Sequence, residues 1–306
     1  MQLPHYTVHE AESCADAVNT TQWDMRNYDG EEIRVQLAWP LAWRTPSEQG
    51  ASAPVIYVLD GNTLFFSAVE TVRRSTALQT SEDAIVVGIG YPPTASASPY
   101  DPRRNYDLTP PSPTYTPPRG PDGKPHPAPH GGATKFLQFI TQSVREFLFS
   151  DICRGVTPSR EVLVGHSFGG LCTLHALFSS LTPFTTFIAL SPSIWWNDRY
   201  ILSEEEHFRN SRLVRQKPTL LIAYGSYEQE PRRRPGWSEE WYQRMREKCH
   251  ERRMKDNADE MAGRLRASGK LEALYVREYY GEDHGSLAAC GLSWGISAVL
   301  DKDRFE

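Results

Sequence analysis

The stretch VLVGHSFGG, residues 162–170, constrains this chain more than any other. A β-branched apolar run ends in a glycine, and Ser167 follows two residues later. Two further glycines then open LCTLHALFSSL, a segment that reads as a helix. A serine between a strand and a helix, flanked by residues without side chains, fits a sharp turn that lifts its hydroxyl above the end of the strand. Holding a non-glycine residue there costs about 1–3 kcal/mol. Gly165 and Gly169, two positions either side of Ser167, are therefore expected to be places that tolerate no bulk. Gly170 is expected to let the following helix pack tightly.

The context of that turn is a repeating one. Short apolar runs at 53–61, 84–90, 160–166, 184–192 and 219–226 read as buried strands, and the less apolar run at 271–280 suits a strand nearer an edge. Helical segments at 134–152, 171–181 and 237–268 alternate with them. Alternation of this kind predicts right-handed crossovers and an α/β fold, a mostly parallel sheet flanked by helices. The early EEIRVQLAWP alternates polar and apolar residues, as an antiparallel edge strand would. A length of 306 residues suits one large domain spanning 1–306. Residues 92–130 break the pattern. They hold thirteen of the 23 prolines and show no periodicity, so they read as an insertion over the site.

Composition removes several classes of function. A net charge of −5 offers no footprint for nucleic acid. No run approaches the ~18 apolar residues of a membrane span, and the first residues lack the basic and apolar regions of a secretory signal. Five scattered cysteines (14, 153, 172, 249 and 290) form no Cys-x-x-Cys pair, which argues for a reducing, cytoplasmic setting and against a zinc site. His126 and His130 are four apart, but the prolines between them forbid the helix that would make them a metal pair.

A serine nucleophile needs a base, and where the nucleophile sits at such a turn the order along the chain is Ser, acid, His. Four histidines follow Ser167. His175 falls inside the helix after the turn and is expected to pack against the sheet, while His207 and His250 lie in charged, solvated surroundings. His284, in YYGEDHGS after the last expected strand, is the candidate base. The candidate acid is Glu228 in LLIAYGSYEQE, with Glu230 and Asp198 as alternatives and a Ser–His dyad as a further one. Asp283 is read as a surface charge. Backbone N–H groups of Phe168, after the nucleophile, and of Gly61 or Asn62 in VLDGNTLF are the expected oxyanion donors.

Taken together, YVLDGNTLF, VVGIGYP, YDPRRNYDLTP, GGATKFLQFI, VLVGHSFGG, SPSIWWND, GSYEQEP and DHGS resemble the esterase D-type α/β-hydrolases that cleave siderophore esters. The likeness covers roughly residues 53 to 290, with fungal esterases of fusarinine-type siderophores as the most similar group. It implies the α/β-hydrolase fold, a serine esterase without cofactor or metal, and a siderophore substrate such as a cyclic hydroxamate triester. Release of iron inside the cell would follow. It also implies that Ser167 and His284 form the catalytic core, that the acid position varies, and that Arg103 and Arg104 contact substrate. Trp195 would form an apolar wall of the pocket while one of the Trp195–Trp196 pair is core, and the arginines at 232–234 form a solvated stretch. The insertion at 110–130 is longer and richer in proline than this resemblance leads one to expect. Two other readings remain: a general carboxylesterase (S-formylglutathione or feruloyl type), and a catalytically silent fold that binds a siderophore or a protein.

Overall fold

The computed structural model describes residues 8–10, 17–93, 98–120, 123–179, 183–211 and 216–301. Cys14, parts of the proline-rich insertion and the end of the helix expected over 171–181 lie outside them. Nine strands are present among the described residues: β1 (Val8–Glu10), β2 (Thr20–Arg26), β3 (Glu32–Ala38), β4 (Ser52–Leu59), β5 (Ile85–Gly90), β6 (Thr157–His166), β7 (Thr186–Leu190), β8 (Thr219–Gly225) and β9 (Ala273–Tyr279). They form one sheet in the order β1-β2-β3-β5-β4-β6-β7-β8-β9. The first three run antiparallel, and every pairing from β5 across to β9 is parallel.

The side-chain period of two sorts the strand residues into two core layers. Val55, Tyr57, Leu59 and Leu163 face a layer that also contains Phe136, Leu171, Phe208 and Met261. These come from the helices beginning at Ala133, Phe168, Ile201 and Met254. Ile56, Val58, Val162 and Val164 face the opposite layer, covered by the helices Gly61–Ala77 and Leu287–Leu300. Because both faces are covered, β4, β5 and β7 are buried almost end to end. Each fully buried Val, Ile or Leu contributes about 1.5–3 kcal/mol, so the strands under the site rest on a stiff support.

The structure departs from the sequence reading in three places. The antiparallel strand in EEIRVQLAWP is β3, but it is internal: β2 pairs with its outer side and β1 continues beyond. The helix expected over 237–268 is two helices, Glu239–Arg252 and Met254–Ser268, broken at Arg253 with φ 49°. The break changes the helical phase. It lets Met254, Ala258, Met261 and Leu265 bury themselves, while the first helix buries nothing. The described residues of the proline-rich insertion also hold regular structure, although its sequence shows no periodicity. It holds a short helix (Arg104–Asp107), and the Asn197 side chain ties Ser112, Thr114 and Thr116 down. Tyr115 stacks on His130 at 3.7 Å.

Register decides what stands together at the carboxyl edge. His166 pairs with Leu190, Leu190 with Ala223, and Ala223 with Arg277, so β6 to β9 end side by side. The loops that follow carry Ser167, Ser191, Glu228 and His284.

Candidate active site

Ser167 joins β6 to the helix Phe168–Ser179 with φ 61°, in the left-handed region a side chain seldom occupies. Its N–H donates to the Leu190 carbonyl at 2.9 Å, and its carbonyl accepts from Leu171 at 3.0 Å and from Ser193 at 3.2 Å. These bonds over-determine the conformation and hold the strain in place. The glycines divide the steric work unevenly. A Cβ on Gly165 would stand 2.3 Å from the Gly169 backbone, and one on Gly170 would stand 2.8 Å from the Leu190 carbonyl oxygen. A Cβ on Gly169 would find its nearest atom at 3.4 Å, so clearance is demanded at Gly165 and Gly170 and not at Gly169.

His284 follows β9 through a turn with Gly281 at φ 85°. Its Nε2 lies 2.9 Å from Ser167 Oγ, and its Nδ1 lies 2.6 Å from Glu228 Oε2. Glu228 ends the short turn Ser226–Glu228 after β8 and is fully buried. Its other oxygen accepts from Ser191 Oγ at 2.6 Å and from Gly225 N at 2.7 Å. A carboxylate at Nδ1 requires the proton on that nitrogen, which leaves Nε2 free to accept the serine proton. The loops bearing Glu228 and His284 touch directly. Tyr227 N donates to the Glu282 carbonyl at 3.0 Å, and a Cβ on Gly225 would meet that same oxygen at 2.3 Å.

The alternative acids are engaged elsewhere. Glu230 accepts from His250 at 2.8 Å, and Asp198, with φ 52°, accepts from Thr116 Oγ1. Asp283, read as a surface charge, has a structural task. Its Oδ1 accepts from Gly285 N at 3.0 Å and Ser286 N at 3.1 Å, closing the turn that carries His284, and it pairs with Arg234. Of the neighbouring arginines, Arg233 pairs with Glu239.

Phe168 and Asn62 stand in the first turns of the helices Phe168–Ser179 and Gly61–Ala77. N–H groups at such positions have no acceptor within their own helix. Asn62 turns its side chain aside, accepting from Tyr91 N at 3.1 Å. Gly61 is pressed against β5, where a Cβ would stand 2.9 Å from the Gly88 carbonyl carbon.

The two arginines expected to contact substrate are committed within the protein. Arg104 makes a two-pronged pair with buried Asp60 at 2.8 and 2.7 Å and lies between the rings of Tyr100 and Phe168. Arg103 pairs with Glu31 at 2.9 Å and with Asp107 at 3.0 Å. Their guanidinium groups tie the insertion to the sheet edge. Trp196 is core, whereas Trp195 lines a cavity of about 620 Å³ together with Thr116, Trp241, Lys248 and Arg252. The Trp195 ring is 6.1 Å from that of Phe168.

Three supporting residues escaped the sequence reading. Ser191 orients Glu228, and Ser193 places its Oγ 3.5 Å from Ser167 Oγ. His166 donates its Nε2 proton to the His284 carbonyl at 2.7 Å, with the two rings 4.6 Å apart. Burial, reinforced by His284, pushes His166 down to about 3, so it stays neutral. Its signal lay inside the quoted motif, but its partner is 118 residues away in sequence.

Comparison with known proteins gives the family and the fold. The sequence pattern of the esterase family matches residues 27–259. The chain is 43% identical over 284 residues to the siderophore enterobactin esterase of Emericella nidulans, covering 92% of this chain and 93% of that one. It is 39% identical over 290 residues to the siderophore triacetylfusarinine C esterase of Aspergillus fumigatus, covering 92% and 94%. Among solved structures, the siderophore hydrolase EstA from Aspergillus nidulans superposes with a TM-score of 0.88 at 41% identity, over 96% of this chain and 98% of that one. A strained serine at the end of a central strand, an imidazole at hydrogen-bond distance and likeness along nearly the whole chain lead to one assignment: the protein belongs to the esterase family and has its α/β-hydrolase fold.

Proposed function

We propose that this protein is a siderophore esterase in which Ser167, His284 and Glu228 form the catalytic triad. The observation that carries the proposal is the 2.9 Å contact between Ser167 Oγ and His284 Nε2 at a backbone turn held in strain. The substrate class follows from the named activities of the relatives at 43% and 39% identity.

In the first half-reaction Ser167 Oγ attacks the ester carbonyl while its proton passes to His284 Nε2. Glu228 accepts a hydrogen bond from the Nδ1–H, which stays on His284, and stabilises the imidazolium. The N–H groups of Phe168 and of Gly61 or Asn62 hold the developing oxyanion, and loss of one such donor typically costs about 10²–10³ in rate. The tetrahedral intermediate collapses, the carbon–alkoxy bond breaks, and the leaving oxygen takes the proton from Nε2. Water then attacks the acyl-serine, giving its proton to His284, and the serine is restored. The net change is one ester and one water converted to one acid and one alcohol.

Cutting a linkage of a multidentate chelator ends the high effective concentration of its arms and weakens the grip on iron. Iron enters with the substrate, not as a cofactor, and cytoplasmic action suits a protein that opens imported ligands. No helix among the described residues is long and apolar enough to cross a membrane. The test is incubation with iron-loaded and iron-free siderophore triesters, with fragments identified by mass spectrometry. Linear hydrolysis products that disappear in a Ser167→Ala variant are expected. Intact triester alongside ready hydrolysis of a simple aryl ester would favour a general carboxylesterase.

A further inference from the structure

Several half-buried arginines of this protein are joined to carboxylates. Arg34 meets Asp24, Arg104 meets Asp60, Arg145 meets Glu161 and Arg264 meets Glu205. Arg73 and Lys270, also half-buried, donate to the carbonyls of Val18 and Ser211 instead, but two further half-buried cations have neither kind of partner. Lys248 and Arg252 lie one turn apart on the helix Glu239–Arg252, and neither side chain has a hydrogen bond or ion pair within the described residues. Both line the 620 Å³ cavity, a size that accepts ligands of several hundred Å³. The Arg252 guanidinium lies over the Trp195 ring at 4.2 Å, and Trp195 adjoins Phe168, the residue after Ser167.

The helix that carries them buries no residue of its own. Trp241, Met245, Lys248 and Arg252 recur at helical spacing along one face, and all four line the cavity. The acids of the lining, Asp198, Glu247 and Glu251, are exposed and screened by water. Burial holds both basic groups below their ordinary values, and Arg252 pushes Lys248 down further. Two like charges side by side, partly removed from water, with no carboxylate in direct contact and only through-space attraction from Glu228 and Glu251 on Arg252, suit a site built for an incoming anion.

We propose that Arg252 and Lys248, against the Trp195 ring, form an anion seat that holds the metal-chelating centre of the substrate while its ester linkage lies at Ser167. The seat ranks substrates by charge. An iron(III) complex of three catecholate arms carries a triple negative charge, whereas one of three hydroxamate arms is neutral. Catecholate rings and their oxygens also match a planar guanidinium stacked on an indole, which a neutral hydroxamate complex uses less well. This inference rests on the siderophore reading above and adds the class of chelator that the site prefers.

The test measures binding apart from turnover. In a Ser167→Ala background, tryptophan fluorescence follows titration with ferric enterobactin, a tris-catecholate triester, and with ferric triacetylfusarinine C, a tris-hydroxamate triester. The Arg252→Gln, Lys248→Gln double variant is expected to weaken the catecholate complex on the order of 10- to 100-fold and the neutral complex by less than about 3-fold. In the otherwise unaltered enzyme the same pair should raise KM for the anionic complex with kcat nearly preserved. Arg246→Gln, an exposed cation on that helix outside the cavity lining, should change neither constant. Salt gives a readout that needs no variant. Rising ionic strength should weaken the anionic complex and spare the neutral one. Equal losses for both complexes, or none for the anionic one, overturn the proposal. If neither triester is hydrolysed but the anionic complex still binds in a manner dependent on Arg252, the esterase reading fails and the seat stands.

Discussion

Among the described residues stand two chains of hydroxyl, imidazole and carboxylate, Ser167–His284–Glu228 and Thr134–His175–Glu204, and of these two the first has the setting of a catalytic site. In the first, Ser167 Oγ is 2.9 Å from His284 Nε2, and His284 Nδ1 is 2.6 Å from Glu228. In the second, Thr134 Oγ1 is 3.0 Å from His175 Nε2, and His175 Nδ1 is 2.6 Å from Glu204. The hydrogen bonds alone do not tell them apart. The difference lies in what surrounds them. Ser167 sits on a left-handed turn at the head of a helix, while Thr134 is an ordinary residue of the helix Ala133–Gln138. The His284 side chain is 41% exposed, against 6% for His175, which lies in the interior of the helix Phe168–Ser179. A relay of this kind orients an imidazole. Catalysis further requires a hydroxyl thrust out of the backbone, donors for an oxyanion and access for substrate.

Substitutions in parallel at the two relays give the largest expected contrast. Ser167→Ala and His284→Ala should each lower kcat by about 10⁴-fold or more, whereas Thr134→Val and His175→Gln should leave it within about threefold and register in stability, by about 1–3 kcal/mol. Turnover and urea denaturation on the same variants decide it. A Thr134 variant as inactive as the Ser167 variant would break the comparison. The carboxylates come next. Glu228→Gln should cost about 10²–10⁴ in kcat by unsettling the imidazole tautomer, and Glu204→Gln should cost nothing measurable in kcat. An unchanged rate for Glu228→Gln would mean that the site works as a Ser–His dyad.

The turn itself sharpens the contrast on a smaller scale. Gly165→Ala drives a methyl into the Gly169 backbone and should destabilise the fold by about 1–3 kcal/mol or more, while Gly169→Ala should be milder, because its Cβ meets only ordinary contacts. Equal thermal shifts would refute the steric reading. The smallest effect concerns His166, held neutral by burial at about 3. An unfolded imidazole titrates near 6.5, so between those values the unfolded chain binds more protons and stability falls as pH drops. His166→Asn removes that component, so its stability should fall less steeply than wild type from pH ~6.5 downward, by up to about 1.4 kcal/mol per unit. Asp107, pushed up to about 6 by burial, contributes the opposite slope below that pH. It is present in both proteins and cancels from the difference. Parallel curves would show that His166 does not titrate as described.

The outline of the nucleophile turn was legible in the sequence because it is local: strand, glycine, serine and helix are consecutive, and the loops carrying Glu228 and His284 follow runs that read as strands, the first apolar and the second less so. What could not be read depends on distant partners. Arg104 meets Asp60 across 44 residues and His166 meets His284 across 118, separations that no periodicity encodes. The break at Arg253 escaped because two helical phases abut without a glycine or proline to mark the join. β2 was missed because TTQWDMR is polar at most positions and owes its place to pairing with β3. The second relay was hidden likewise. His175 packs in the interior as its helix suggested, but its polar partners come from two other helices.

Covalent labelling probes the distinction between the relays most directly. The protein is treated with a fluorophosphonate, digested, and the modified peptide sequenced by mass spectrometry, with hydrolysis assayed on the same sample. The account predicts a single adduct on Ser167, its yield tracking the loss of activity, and no adduct on Thr134. An inhibited enzyme with Ser167 unmodified, or a wild-type protein that stays unlabelled while still hydrolysing ester, would contradict it.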